Sequence, residues 1–227
     1  MGMAEPAQLN QIFGFSSQQS IHDTYKVALR AREIEGCFVE CGVASGGGSA
    51  PMSLVLKEVD DKRVLHLFDS FEGLPHAGPE DTGDYGVGTG IGNFAMDPNL
   101  PVRERLKTTG ATIGTIANVT HHFGVWGVTC ANIKFHEGWF QDTVPGVNLA
   151  PIAFLRLDGD LYESTMLCLD ELYDQVAPGG FIWLDELGMD SMIGGKKAAY
   201  DFFEKRGEEF PELDGRTDTR AGWWIKR

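Results

Sequence analysis

The sequence predicts an α/β fold in which an open, mostly parallel sheet of seven strands carries helices on both faces. Three observations lead there. Short apolar runs of strand length alternate with longer amphipathic stretches, the order expected of a parallel sheet with helical crossovers. A glycine-rich turn, Gly42-Val43-Ala44-Ser45-Gly46-Gly47-Gly48-Ser49, joins the first strand to a helix as nucleotide-binding units do. The first five predicted strands all stop on an acid, at Glu40, Asp69, Glu137, Asp158 and Asp185.

Residues 1–20 are polar and weakly patterned, with one short helix expected near Ala7 to Phe13, and read as an arm lying over something else. A helix is predicted from Ser20, where Asp23 three residues on resembles a capping box, and Gly36 stops it. Residues 1–35 are thus an arm and helix, and 36–227 one domain. Cys37 to Cys41 is the first strand, and Pro51 to Val59 the helix after the glycine turn. Val64 to Phe68 is the second strand, ending on Asp69. The segment from Gly73 to Leu100 holds seven glycines and little apolar periodicity, so it is expected to act as a lid-like insertion. Val102 to Lys107 and Ile116 to Phe123 read as helices, and Ile133 to His136 as the third strand.

Ile152 to Leu157 is the fourth strand, followed by a helix from Tyr162 to Val176 that Pro178-Gly179-Gly180 closes. Phe181 to Leu184 is the fifth strand and Gly195 to Arg206 the last helix. Glu209 to Leu213 and Gly222 to Ile225, across Asp214-Gly215, are read as a hairpin at the sheet edge.

With 227 residues the chain suits one large domain. A net charge of -14 argues against nucleic acid or an anionic membrane surface as partner, since both require basic faces. Cys37, Cys41, Cys130 and Cys168 lack metal-type spacing and read as reduced thiols of a cytoplasmic protein. No stretch has the pattern of a signal peptide or the length of a membrane span.

The carboxylates carry the chemistry. If the fourth strand extends far enough, Asp158 and Asp160, two apart, point to one side, and Asp185 with Glu186 lies beside them on a neighbouring strand. So many negative groups repel unless something positive sits between them, and hard oxygen ligands favour Mg²⁺ or Ca²⁺. The plainer alternative is that Asp158 or Asp185 caps a helix. A rim of acceptors at the carboxyl ends of the strands suits a ligand with hydroxyls and positive charge. A dinucleotide's pyrophosphate would be repelled by Glu40, and the glycines do not fall in its usual spacing. S-adenosylmethionine, with a ribose, an ammonium and a sulfonium but no phosphate, fits better.

Four motifs add a resemblance: Phe38-Val39-Glu40-Cys41-Gly42-Val43, Phe68-Asp69-Ser70-Phe71-Glu72-Gly73-Leu74-Pro75, Glu137-Gly138-Trp139-Phe140-Gln141-Asp142-Thr143, and Leu155-Arg156-Leu157-Asp158-Gly159-Asp160-Leu161-Tyr162-Glu163-Ser164-Thr165. From about Gly36 onward the chain is similar to the macrocin (TylF-type) O-methyltransferase family. The resemblance implies a Rossmann-like sheet with an antiparallel last strand, S-adenosylmethionine and Mg²⁺ as cofactors, and a small hydroxylated sugar or phenol as acceptor. It implies Asp158 and Asp185 as metal ligands, with Glu186 standing where the family has a second aspartate, and Asp160 as general base. Glu40, Gly42, Asp69, Ser70 and Trp139 match cofactor positions, Asp69 for the ribose and Trp139 near the adenine. Ser45, Glu137, Gly138 and Asp158 complete the expected set. The segment from Gly73 to Leu100 departs from the family's more compact form.

The expected mechanism is deprotonation of an alcohol by Asp160, helped by a metal contacting the substrate oxygen, and in-line methyl transfer. His22, His121, His122 and His136 are other bases by residue type, though histidines so placed are more often structural. Two other functions are compatible with such a sheet: a nicotinamide-dependent oxidoreductase, and a non-catalytic scaffold that binds the methyl donor. Aromatic residues of the arm and the Trp223-Trp224 edge are candidates for a homodimer or higher oligomer interface.

Overall fold

The strands β1 (Cys37–Cys41), β2 (Leu65–Asp69), β3 (Ile133–Glu137), β4 (Ile152–Leu157), β5 (Val176–Leu184), β6 (Gly215–Arg216) and β7 (Gly222–Ile225) form one sheet in the order β3-β2-β1-β4-β5-β7-β6. This computed structural model describes residues 5–59, 62–81, 100–189, 193–217 and 220–227. Strands β1 to β5 pair in parallel, and β7 runs antiparallel to both β5 and β6. The strand order reverses between β1 and β4. That point, at the carboxyl ends of the strands, is where such sheets open a crevice.

Side chains alternate along each strand, so neighbours in sequence enter different layers. Phe38, Leu65, Leu67, Phe154 and Trp183 pack with α1 (Gln18–Ala31), α2 (Ser49–Glu58) and α4 (Ile116–Trp126). Val39, Leu155, Leu157, Ile182 and Leu184 pack on the opposite face with α6 (Tyr162–Leu172) and α7 (Ile193–Arg206). Short helices at 102–105 and 140–143 are α3 and α5. Among the described residues no helix is long and apolar enough to cross a membrane, and all four cysteines are free.

Several boundaries differ from the sequence reading, each for a local reason. The first long helix begins at Gln18, because Ser17 is extended and its side chain accepts from the Ser20 amide; Ser20 itself is buried inside the helix. Pro178-Gly179-Gly180 lies within β5. Its backbone is used by the end of the chain: Gly179 donates to the Lys226 carbonyl, and the Lys226 amide donates to Gly180. The helix before it ends at Leu172, followed by one tight turn over Tyr173–Gln175.

Residues 209–213 form no strand; the edge strand is Gly215–Arg216. Trp223 stacks on Trp183 with ring centroids 4.8 Å apart, and Trp224 is fully buried. The Trp223-Trp224 pair is therefore part of the core of this chain. Residues 82–99, most of the expected lid-like insertion, lie outside the described residues.

At the outer edge, His66 on β2 stacks on His136 of β3, with His66 Nδ1 and His136 Nε2 2.9 Å apart. Burial lowers the His66 pKa to about 4, with His136 and Lys134 pushing the same way, and burial lowers His136 as well. A histidine held neutral in the folded chain protonates more readily when unfolded. The penalty is absent above the ordinary value of about 6.5 and grows as pH falls toward 4. His66 should withdraw about 3 kcal/mol of stability between pH 7 and 4. His66→Gln should flatten that part of the profile in urea denaturation, and an unchanged pH dependence would contradict the assignment.

Candidate active site

Arg156 is the last residue but one of β4, in an otherwise apolar run, with no exposure to solvent. The sheet register sets Glu40 beside it on β1 and Trp183 beside it on β5. Period-2 alternation then places Glu40, Arg156 and Asp185 on one face of three neighbouring strands. The guanidinium joins them: Nη1 donates to Glu40 Oε1 at 2.7 Å and to Asp158 Oδ2 at 2.6 Å, and Nη2 to Asp185 Oδ1 at 2.7 Å. Trp183 supports it from below, its ring centroid 5.6 Å from the guanidinium carbon. Asp185 is held further by Trp183 Nε1 and Arg220 Nη2, each donating at 3.3 Å. A planar fork of donors is the side chain able to serve several carboxylates at once in a buried place.

The glycine turn is shaped by this group. A Cβ on Gly48 would stand 2.4 Å from Glu40 Oε1 and 2.5 Å from Arg156 Nη1, so the start of α2 can rest on the ion pair only with glycine there. Gly42, at φ +95°, passes so close to the Asp158 carbonyl that a Cβ would fall 1.8 Å from it. Asp69 organises the turn from the side. Its Oδ2 accepts the Val43 and Ala44 amides at 2.7 and 2.9 Å, and Oδ1 the Phe71 amide at 2.7 Å.

Above this frame lies a cavity of about 240 Å³. Gly42, Ala44, Asp69, Ser70, Trp139, Phe140, Asp158, Asp160, Ser164, Met189 and Arg220 are among the residues that line it. Phe15 of the arm, Leu74 and Pro75 add apolar wall. Three of its lining residues, Ala44, Thr112 and Asp160, hold left-handed backbone conformations without being glycine, a kind of strain that gathers at functional sites.

Beside the arginine group, Asp158, Asp160 and Glu186 bring carboxylate oxygens within 4.8 Å of one another. Glu186 is 1% exposed; its Oε1 accepts from the Asp160 amide at 3.2 Å, and its Oε2 is buried without a partner. Burial raises Asp160 and Glu186 well above the usual carboxylate range, and repulsion from the neighbouring acids adds to it. Three carboxylates, Glu40, Asp158 and Asp185, thus pair with two guanidiniums, and Asp160 and Glu186 lie beside Asp158. Three hard oxygen donors with an orphaned buried oxygen among them are a donor set that fits a divalent cation such as Mg²⁺.

The structure gathers the expected residues in a different arrangement. Gly42, Asp69, Ser70, Trp139, Asp158 and Asp160 line the cavity, whereas Glu40, Ser45, Glu137, Gly138, Asp185 and Glu186 are absent from its lining. Glu40, expected at the cofactor, is fully buried against Arg156. Glu137 is exposed at the end of β3, and Gly138 donates its amide to the Asp69 carbonyl. Ser45 offers its carbonyl oxygen to His122 Nδ1. Asp185, expected as a ligand, is 1% exposed and given over to two arginines and Trp183, and Asp160 takes the place beside Asp158 and Glu186. The positive group expected among these carboxylates is in part an arginine. β4 ends at Leu157 and Asp160 is left-handed at φ +61°, so strand alternation does not set its direction. None of His22, His121, His122 or His136 lines the cavity.

Sequence reasoning missed Arg156, Arg220 and Asp81. An arginine inside an apolar strand was the available signal, since that residue type is almost never buried without partners. Asp81 is buried and accepts from the Tyr162 amide at 2.9 Å, capping α6 from a distant loop that local sequence could not indicate.

Removing the arginine would strand its partners. Arg156→Met should cost about 3–5 kcal/mol in equilibrium denaturation, because Glu40 and Asp185 stay buried without a countercharge. A loss below about 1 kcal/mol would mean the pair adds little to the fold.

A sequence model of the macrocin-O-methyltransferase (TylF) family matches residues 2–226. The chain is 30% identical over 218 residues to the 8-demethyl-8-(2,3-dimethoxy-alpha-L-rhamnosyl)-tetracenomycin-C 4'-O-methyltransferase of Streptomyces olivaceus, covering 95% of this chain and 76% of that one. It is 29% identical over 185 residues to the demethyldecarbamoylnovobiocin O-methyltransferase of Streptomyces niveus, covering 81% and 64% respectively. The structure of the O-methyltransferase NovP superposes with a TM-score of 0.71 at 25% identity, over 92% of this chain and 80% of that one. The chain belongs to the macrocin-O-methyltransferase family, and is an O-methyltransferase.

Proposed function

We propose that the chain moves a methyl group from S-adenosylmethionine to a hydroxyl of a sugar or similar small natural product, with a divalent cation held by Asp158, Asp160 and Glu186. The observation that carries this is the meeting of those three carboxylates beside a cavity that the glycine turn also lines. The donor's ribose, ammonium and sulfonium suit an acid-rich rim. Asp69 Oδ1 has only a long second contact, from Ser70 Oγ at 3.4 Å, which leaves it capacity for a ribose hydroxyl. Trp139 and Phe140 offer aromatic surface for the adenine.

A cation in the carboxylate group would act as a Lewis acid on the acceptor oxygen. The protein's own part is to hold the pieces. Arg156 fixes Asp158, the Asp160 amide fixes Glu186, and the apolar wall of Phe15, Leu74, Pro75 and Met189 packs the acceptor's ring and keeps water out. Asp160, lining the cavity, is the carboxylate placed to take the acceptor's proton. The relatives' names, a rhamnosyl-bearing tetracenomycin and a novobiocin precursor, support a glycosylated or aromatic natural product as acceptor. Membership of a methyltransferase family leaves the nicotinamide oxidoreductase without support. The scaffold reading gives no reason for the carboxylate group.

Asp160→Asn should lower turnover by roughly 100-fold or more, while S-adenosylhomocysteine affinity by calorimetry stays within about threefold of wild type. Equal turnover of variant and parent would remove Asp160 from the chemistry. Chelation by EDTA should abolish transfer and added Mg²⁺ restore it; full activity in EDTA would contradict the metal half of the proposal.

A further inference from the structure

We propose that Thr165 is a positioning residue for the metal centre: with a cation bound, its hydroxyl would donate to the second oxygen of Glu186, a bond not made in this structure, and Gly195, which lies against both atoms, leaves room for it. The inference rests on the metal reading above. Thr165 lies in the first turns of α6 and is 1% exposed, yet its Oγ1 has no partner. The usual recourse of a helical threonine, a bond to the carbonyl four residues back, is not taken; the Leu161 carbonyl accepts only the Thr165 amide, at 3.0 Å. Glu186 Oε2 is the other buried atom without a partner in this corner.

Both orphans lie against Gly195. A Cβ on Gly195, in the first turn of α7, would stand 3.0 Å from Glu186 Oε2 and 3.3 Å from Thr165 Oγ1. The hydroxyl can donate, and Glu186 Oε2 accepts when the carboxyl is ionised, as a metal ligand is, so they are chemically matched. Glu186 Oε1 is already steered by the Asp160 amide. A donor on Oε2 fixes the rotation of the carboxylate and so presents one oxygen toward Asp158 and Asp160. Partners behind a ligand are commonly worth 10–100-fold in metal affinity.

The test uses the whole protein and Mn²⁺ alone, with free ion followed by electron paramagnetic resonance. Thr165→Val keeps the shape and removes the hydroxyl, and its Mn²⁺ dissociation constant should rise about tenfold. Thr165→Ser should restore affinity to within about twofold of wild type, which a purely packing role would not do. Gly195→Ala, which puts a methyl against Glu186 Oε2, should weaken binding in the same direction. Wild-type affinity in Thr165→Val would overturn the positioning role and leave the metal reading standing. Absence of Mn²⁺ binding by the wild type would overturn both.

Discussion

A single buried guanidinium, that of Arg156, determines how this molecule is put together at its working edge. It reaches Glu40, Asp158 and Asp185, which belong to β1, the end of β4 and the residue after β5. Taking Arg156, Glu40 and Asp185 out of water is costly, and only close, well-directed hydrogen bonds offset the cost. These strands are therefore tied to one another at the place where the crevice opens. The fit extends outward: Gly48 must be glycine for α2 to settle on the pair, and Gly42 for β1 to pass the Asp158 carbonyl.

That arrangement sorts the acidic rim into two kinds of carboxylate. Glu40 and Asp185 are structural, their charge answered by arginine and their exposure nearly nil. Asp158 belongs to both groups, since it accepts from Arg156 and also meets Asp160 and Glu186. Among the described residues Asp160 and Glu186 form no ion pair with either arginine, and burial with mutual repulsion holds both well above the usual carboxylate range. Arg220 bonds Asp185 and also lines the cavity.

Much of this was legible in the sequence, because strands and their acidic ends are written in local pattern. The runs at 37–41, 152–157 and 222–225 are found at those bounds, and the sheet with its antiparallel last strand follows. What escaped was set by contacts between distant residues. Ser17 rather than Ser20 caps α1 because of how the arm enters the helix, and Pro178-Gly179-Gly180 joins β5 because the chain's last residues bond to it. The role of Arg156 needed the register between β1, β4 and β5, although its presence in an apolar strand was already a sign. Asp185 and Asp160 were both expected at the site. Arg156 and Arg220 hold the first, and the second, left-handed in its backbone, lines the cavity, neither of which local pattern could indicate.

The most direct measurement is anomalous diffraction from a crystal of the protein soaked in Mn²⁺ together with S-adenosylhomocysteine. The account predicts one strong peak bounded by oxygens of Asp158, Asp160 and Glu186, with Arg156 still bonded to Glu40 and Asp185. A peak on Asp185 with the arginine displaced, or no peak in a crystal whose cofactor is well ordered, would contradict it.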